Sequence, residues 1–241
     1  MNMYGNFIKS EIKKWSRDSM MGFMVVYPIL FGLIGRYFLP WISRRNNFSL
    51  EAYADLIIVI LTLLVPISYG ALIGFSILED RDDNVLTAIK ISPFGIKQFL
   101  AFRLIMVSIL CFIACIYVMW FSNIGNISIK NIIAISFLAS FEAPISGLLI
   151  NALAKNKIEG FAVMKGAGTI IVFPIIALFF MGKKELFFAF APGFWSAKAI
   201  SSLIRGDILY LSYNQYYFIG LLYVLILNIL VYKLFIKQTR I

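Results

Sequence analysis

The sequence predicts an all-α membrane protein, on three observations. Of 241 residues, 61% are hydrophobic and 14% charged, where globular chains average about half and about 25%. A compact fold of this length has too little interior to hide so much apolar surface, which leaves lipid as the solvent that takes it. The apolar residues also gather in six runs of about the 20 residues that a helix needs to cross a bilayer core. Backbone groups in lipid must be satisfied internally, so the runs are helices; the alternation of barrel strands is missing. The whole chain, 1–241, reads as a single polytopic transmembrane domain.

Each element has its own warrant. Tyr4, Phe7, Ile8, Ile12 and Trp15 recur at helical spacing among Lys9, Lys13, Lys14 and Arg17, so residues 4–18 are expected to form an amphipathic helix in the membrane interface. Glu11 falls close to its apolar face, and the plainer alternative is a polar tail. The expected spans are 20–42 (Arg36 near its far end), 56–78 (uncharged), 104–121, 131–154 (containing Glu142), 166–181 (rather short) and 218–236 (Lys233 near its end). The first is too long for a signal peptide and has no small-residue cleavage site behind it. Ahead of the last span, the apolar stretch from Leu186 to Ala191 is too short to cross, is broken by Pro192-Gly193, and resumes through Ala197 to Ile200. That pattern suggests a re-entrant hairpin, which is tolerated at depth only when buried in protein or lining a cavity. A surface loop with an interfacial aromatic belt is the alternative.

Six spans put both termini on one side. That side holds Lys9, Lys13, Lys14, Arg17, Arg81, Lys90, Lys97, Arg103, Lys155, Lys157, Lys165, Lys233, Lys237 and Arg240. Although Arg36, Arg44, Arg45, Lys183 and Lys184 count against it, the bias places the termini in the cytoplasm of a bacterial cell, with the chain in its plasma membrane. The net charge of +10 fits basic loops beside anionic headgroups better than nucleic acid.

Histidine is absent, which excludes His-based acid–base catalysis and most zinc or haem sites. Cys111 and Cys115, four apart in an apolar run, read as small hydrophobes. No Gly-rich phosphate loop with its Lys occurs, and no catalytic or metal-ligating group of side chains stands out. The chain is therefore expected to be no enzyme and to carry no cofactor.

Two loops on the basic side are the informative features. In the first, Glu79 to Asp83 precede a short helix with apolar Val85, Leu86 and Ile89, closed by Ser92-Pro93, since proline disfavours helix in the residue before it. It reads either as a docking knob for a partner's groove or as an ordinary charged turn. The motif Glu79-x-Arg81-x-x-Asn84-x-Leu86-Thr87, followed by Ser92-Pro93 and placed directly after the second span, resembles the signature of type-2 ABC exporter permeases. Here Asn84 stands where Gly is common, and Leu86-Thr87 reverses the usual order. The interfacial entry helix, the six spans and the hairpin before the last match the same plan.

That resemblance implies a permease that dimerises, with itself or a sister subunit, and docks two copies of an ATP-binding subunit. ATP and Mg would sit on that partner, and the first-loop helix would act as a coupling helix. The second loop, with Lys157, Glu159 and Gly160, resembles the Asn-Lys-x-Glu-Gly stretch of bacterial drug- and peptide-antibiotic-export permeases. Gly160 is expected to allow a turn, and Glu159 to cap the next helix or pair with a partner Arg; a snorkelling basic turn is the alternative.

Within the spans, Glu142 costs about 2.5–3.5 kcal/mol at mid-bilayer and should face the bundle, a cavity or a dimer seam. Its role is open between a cavity carboxylate for a cation or proton and a helix–helix hydrogen bond, with Pro144 loosening the helix beside it. Tyr69, with Ser68, Gly70 and Gly74, either allows close packing or lines a path. The expected function is the export of a small amphipathic compound: a drug, a peptide antibiotic or a lipid-like molecule. The alternatives are a secondary carrier or channel using Glu142 and Asp55, and a non-transporting sensor or immunity protein. A lipid-acting enzyme is disfavoured by the missing histidines.

Overall fold

The computed structural model describes residues 3–46, 49–90, 95–206 and 209–239. Among these the chain is all helical, and six stretches are long and apolar enough to cross a membrane: Ser19–Asn46, Glu51–Asp82, Ile96–Ser122, Ile129–Leu153, Lys157–Ala177 and Tyr213–Gln238. Ahead of them lies α1 (Met3–Arg17). The first stretch joins α2 (Ser19–Leu33), a π-helical turn (Ile34–Phe38) and α3 (Leu39–Asn46). The second is α4 (Ala54–Asp82), followed by the short α5 (Val85–Lys90), and the third is α6 (Ile96–Ser122). The fourth comes as two halves, α7 (Ile129–Ser140) and α8 (Glu142–Leu153), and so does the fifth, α9 (Lys157–Ile170) and α10 (Val172–Ala177). A 3-10 turn (Lys183–Phe188) and α11 (Gly193–Arg205) lead to α12 (Tyr213–Thr239).

Helix α4 is apolar all round, and a helix of that kind belongs at the centre. Ile58, Leu63, Leu72, Ile73, Phe75 and Ile77 are all buried. Its closest neighbour is α8, against a seam of small residues. A Cβ on Gly147 would overlap Ile73 and come 2.9 Å from the Gly70 carbonyl oxygen, and one on Gly70 would lie 2.5 Å from the Ser146 Cβ. Without a hydrophobic drive between helices in lipid, such small residues permit the backbone approach on which packing depends. The Asn151 amide ties the seam by donating to the Gly74 and Gly147 carbonyls, each at 2.9 Å. Around this pair α2, α6 and α12 turn Phe23, Ile29, Ile105, Ile109, Leu222 and Ile229 outward, as lipid-facing helices do.

The fourth stretch breaks at Phe141 because Pro144 has no N–H to give and its ring clashes with the carbonyl four residues back. At the break a donor arrives from another helix: the Asn228 amide of α12 donates to the Phe141 carbonyl at 2.9 Å. Beyond the fifth stretch, α11 runs beside the N-terminal half of α4. Gly193 meets Leu63 and Pro174, while Arg205 pairs with Asp55 at the start of α4. Lys198 and Glu185, both fully buried, pair at 2.7 Å, and the Tyr216 hydroxyl of α12 donates to the same carboxylate. The α11 part of this segment is therefore packed into the bundle and held there by charge pairs, while Phe187 and Phe190 ahead of it are exposed.

Candidate functional site

The bundle has a near end, where α1, α5 and the starts of α6 and α9 gather, and a far end that carries the turn at Lys183–Phe188. At the near end the helical spacing in the N-terminal segment does produce a helix, and the structure shows which of its residues turn toward the bundle. Glu11 and Trp15 are buried, while Ile8 and Ile12 are exposed. The reason is Arg103 in the first turns of α6, which is 1% exposed and pairs with Glu11 of α1 and Asp80 of α4 together. A guanidinium taken out of water needs such partners, and α1 supplies one by turning Glu11 inward. Its charge also lies over the Phe99 ring, 4.4 Å from the centroid.

From this core the ion pairs continue. Lys14 reaches Asp80 at 2.6 Å and Glu79 at 3.3 Å. Lys157 of α9 reaches Glu79 at 3.5 Å and Asp18 at 3.0 Å. Asp18 is the N-cap of α2, accepting from the Met20 and Met21 amides at 2.9 and 3.0 Å. The Met21 amide, seconded by Lys157, holds its carboxyl below the usual carboxylate range against the opposing effect of burial. Four helices that are distant in sequence thus meet in one charged plate.

The residues singled out in the first loop divide by role. Glu79 belongs to that plate, and Arg81 donates to the Ala154 and Asn151 carbonyls at 3.0 and 3.1 Å, supplying donors to the last turn of α8. Asn84 adopts φ +58°, the left-handed conformation that Asn and Gly enter most readily. It makes the elbow between α4 and α5, and this explains on physical grounds the alternation of Gly and Asn at the position. On α5, Leu86 is 6% exposed and turned into its own bundle, Ile89 packs against the core, and Val85 faces outward beside exposed Asp82 and Asp83. The side chain of Thr87, and Ser92 and Pro93 altogether, lie outside the described residues.

In the second loop the Asn156 side chain accepts from the Glu159 amide at 2.9 Å, and Glu159 accepts from the Lys155 amide at 2.8 Å. Glu159 is therefore a cap, in the reciprocal manner of a capping box. Gly160 sits inside α9 rather than in a turn, and its smallness serves contact: a Cβ there would come 2.7 Å from Leu78 and 3.1 Å from Phe75. Next to it Ile158 is 83% exposed, which is unusual for an isoleucine at the end of a helix. Val85, Phe161 and, on α1, Ile8 and Ile12 are also exposed at this end.

Glu142 opens α8 at the break in the fourth stretch, where a carboxylate suits the positive end of a helix. It is buried, with Oε1 accepting from the Ser196 hydroxyl of α11 at 2.5 Å. It also lines a cleft of about 50 Å³, walled by α4, α8, the α9–α10 junction and Pro192-Gly193. Tyr69 is buried and lines none of this cleft. On the other side of the break lies an apolar groove of about 900 Å³ between α6, α7, α8 and α12, with Ser108, Ser140, Asn228 and Lys233 as its polar points. Sequence reasoning missed the roles of Asp18, Ser196 and Asn228, and it noted Glu11 and Arg103 without pairing them. A signal for that pair existed: an arginine opening an apolar span and a glutamate on an apolar helix face are both costly unless they meet.

The profile of the fluoroquinolone export permease Rv2686c-like family matches residues 11–232. The chain is similar to the fluoroquinolones export permease protein of Mycobacterium tuberculosis, as Rv2686c in strain H37Rv and as MT2760 in strain CDC 1551. Each is 30% identical over 200 residues, covering 80% of this chain and 79% of the relative. No solved structure matches.

Proposed function

The chain belongs to the Rv2686c-like family of fluoroquinolone export permeases, and from that membership we propose that it is the membrane-spanning subunit of an ATP-driven, ABC-type exporter. It is a multi-pass membrane export permease. In the proposed system it does no chemistry itself. A separate ATP-binding chain, in two copies, holds ATP and Mg and hydrolyses the nucleotide, and two permease subunits, identical or sister chains, enclose the path. The near end and both termini face the cytoplasm, and α11 with the turn before it forms a re-entrant hairpin from the outer side. The substrate is a small amphipathic compound, in keeping with the fluoroquinolones named for the relatives.

The observation that carries this reading is the charged plate. A partner pressing on Val85 and Ile158 would act on a surface whose roots, Glu79 and Lys157, are tied through Lys14, Asp80 and Arg103 to α1 and α6. Movement of α4 is passed to α8 through the glycine seam, and α8 begins with Glu142 at the cleft. The push therefore has a continuous path of packed groups from the near surface to the middle of the bundle.

The test is co-expression with a candidate ABC-type ATP-binding chain from the same organism. Val85→Asp with Ile158→Asp should cut co-purification about tenfold, the effect of losing about 1.4 kcal/mol of binding, while insertion is unchanged. Inactivating the partner's phosphate-loop Lys should abolish drug efflux. Efflux that persists with the inactive partner overturns the proposal in favour of an ion-driven carrier, which the broken fourth stretch and its carboxylate would also suit.

A further inference from the structure

Five carboxylates are buried among the described residues: Glu11, Asp55, Asp80, Glu142 and Glu185. Four have a basic partner. Glu11 and Asp80 share Arg103, Asp55 has Arg205, and Glu185 has Lys198. Glu142 alone has no Lys or Arg within ion-pair distance among the described residues, and its one side-chain partner is the neutral Ser196 hydroxyl. Elsewhere this fold balances each buried acid from within, so the exception needs an external explanation. An unpaired carboxylate in a dry interior is unfavourable until a positive charge or a proton reaches it.

The place is also built to receive something. Glu142 lines a largely apolar cleft of Leu63, Ile67, Ile145, Leu149, Ile171 and Pro174, in which Ser146 is the other polar side chain. Its cavity volume of about 50 Å³ is several times the roughly 10–15 Å³ that one water needs, so a small ammonium head fits beside the carboxylate. A cationic amphiphile entering it would set its charge against Glu142 and its apolar part along these walls. The α9–α10 wall is also the least embedded of the six stretches together with α2 and α12, so of the cleft's walls it has the fewest internal contacts to break on opening.

We propose that the Glu142 cleft is the recognition site for the protonated amine of an amphipathic substrate, with Glu142 taking the charge, Ser196 holding the carboxylate in place, and the apolar walls taking the body. This rests on the export reading and deepens it by naming the charge class of the cargo. It also predicts discrimination: a compound with the same flat ring system but no basic amine would leave the carboxylate buried and unpaired, and so bind poorly.

The experiment compares two quinolones on the purified full-length permease in nanodiscs, without nucleotide: ciprofloxacin, whose piperazine amine is protonated at neutral pH, and nalidixic acid, which lacks a basic amine. The native chain should bind ciprofloxacin, and Glu142→Gln, nearly isosteric and still able to accept from Ser196, should weaken that binding about tenfold or more. Nalidixic acid binding should not change, and Glu142→Asp should retain part of the preference for ciprofloxacin. Ser196→Ala, which leaves the charge in place, should cost less than Glu142→Gln. Melting temperatures of each variant show that it is folded. Equal binding of ciprofloxacin by native and Gln chains, equal weakening of both compounds, or a native chain that does not bind ciprofloxacin overturns the proposal. Because no ATP is used, failure here is distinguishable from failure of the co-purification and efflux tests: loss of the Glu142 effect leaves ATP-driven export standing.

Discussion

Arg103 decides more of this structure than any other side chain. It is a cation 1% exposed to solvent, so the helices that approach it must bring acids, and α1 does so by turning Glu11 inward. Removing one partner from a buried ionic group leaves an uncompensated charge and costs about 3–5 kcal/mol, whereas replacing the whole group by neutral residues is often tolerated. Arg103→Met should therefore destabilise the protein strongly, and adding Glu11→Gln and Asp80→Asn should restore much of the loss. Thermal unfolding in nanodiscs measures both.

Asp18 makes a second residue-scale prediction. Its carboxyl is held below its ordinary range in the folded chain, so its contribution is present above the unfolded value and fades as pH falls through the folded one. Asp18→Asn keeps an N-cap and loses the pair with Lys157. Its cost should appear at neutral pH and vanish in acid, flattening the stability profile across the acidic carboxylate range, while Asp18→Ala should cost about 1 kcal/mol more through loss of the cap.

At the scale of elements, the six apolar stretches were legible because length and hydropathy are local properties of the chain. The break in the fourth was half legible, through Pro144. What closes the break is not, because Asn228 lies on another helix and nothing local marks it as the donor. The inward turn of Glu11 was hidden for the same reason: its partner, Arg103, lies far along the chain. Gly70 and Gly74 were recognised as residues that permit close approach, while their counterpart, Gly147, could be identified only once α8 was placed beside α4. Gly147→Ala should cost about 1–3 kcal/mol, the usual penalty for forcing atoms into a filled contact. Alanine is otherwise the better helix former, so a loss of stability on melting would isolate the packing effect.

The whole molecule has a direction. If the near end is cytoplasmic, a cysteine introduced for exposed Asp83 should resist a membrane-impermeant maleimide in intact cells and react after permeabilisation. One introduced for exposed Lys183 should react at once. The native Cys111 and Cys115 are both buried, so they give little background. Reversed labelling would turn the molecule over and remove the proposed cytoplasmic partner from reach of its surface.

The elbow at Asn84 has a mechanical corollary. Its bend is written into backbone torsion, so α5 keeps its bearing on α4 whatever presses on it. Helix α4 is about 43 Å long at 1.5 Å per residue, and a rocking of about 10° about its midpoint would carry its tip some ~4 Å sideways. With a stiff joint that stroke arrives undiminished at Val85. With a floppy one, such as Asn84 replaced by a pair of glycines, it would dissipate in the hinge, leaving a transporter that assembles normally yet turns over fuel without moving cargo.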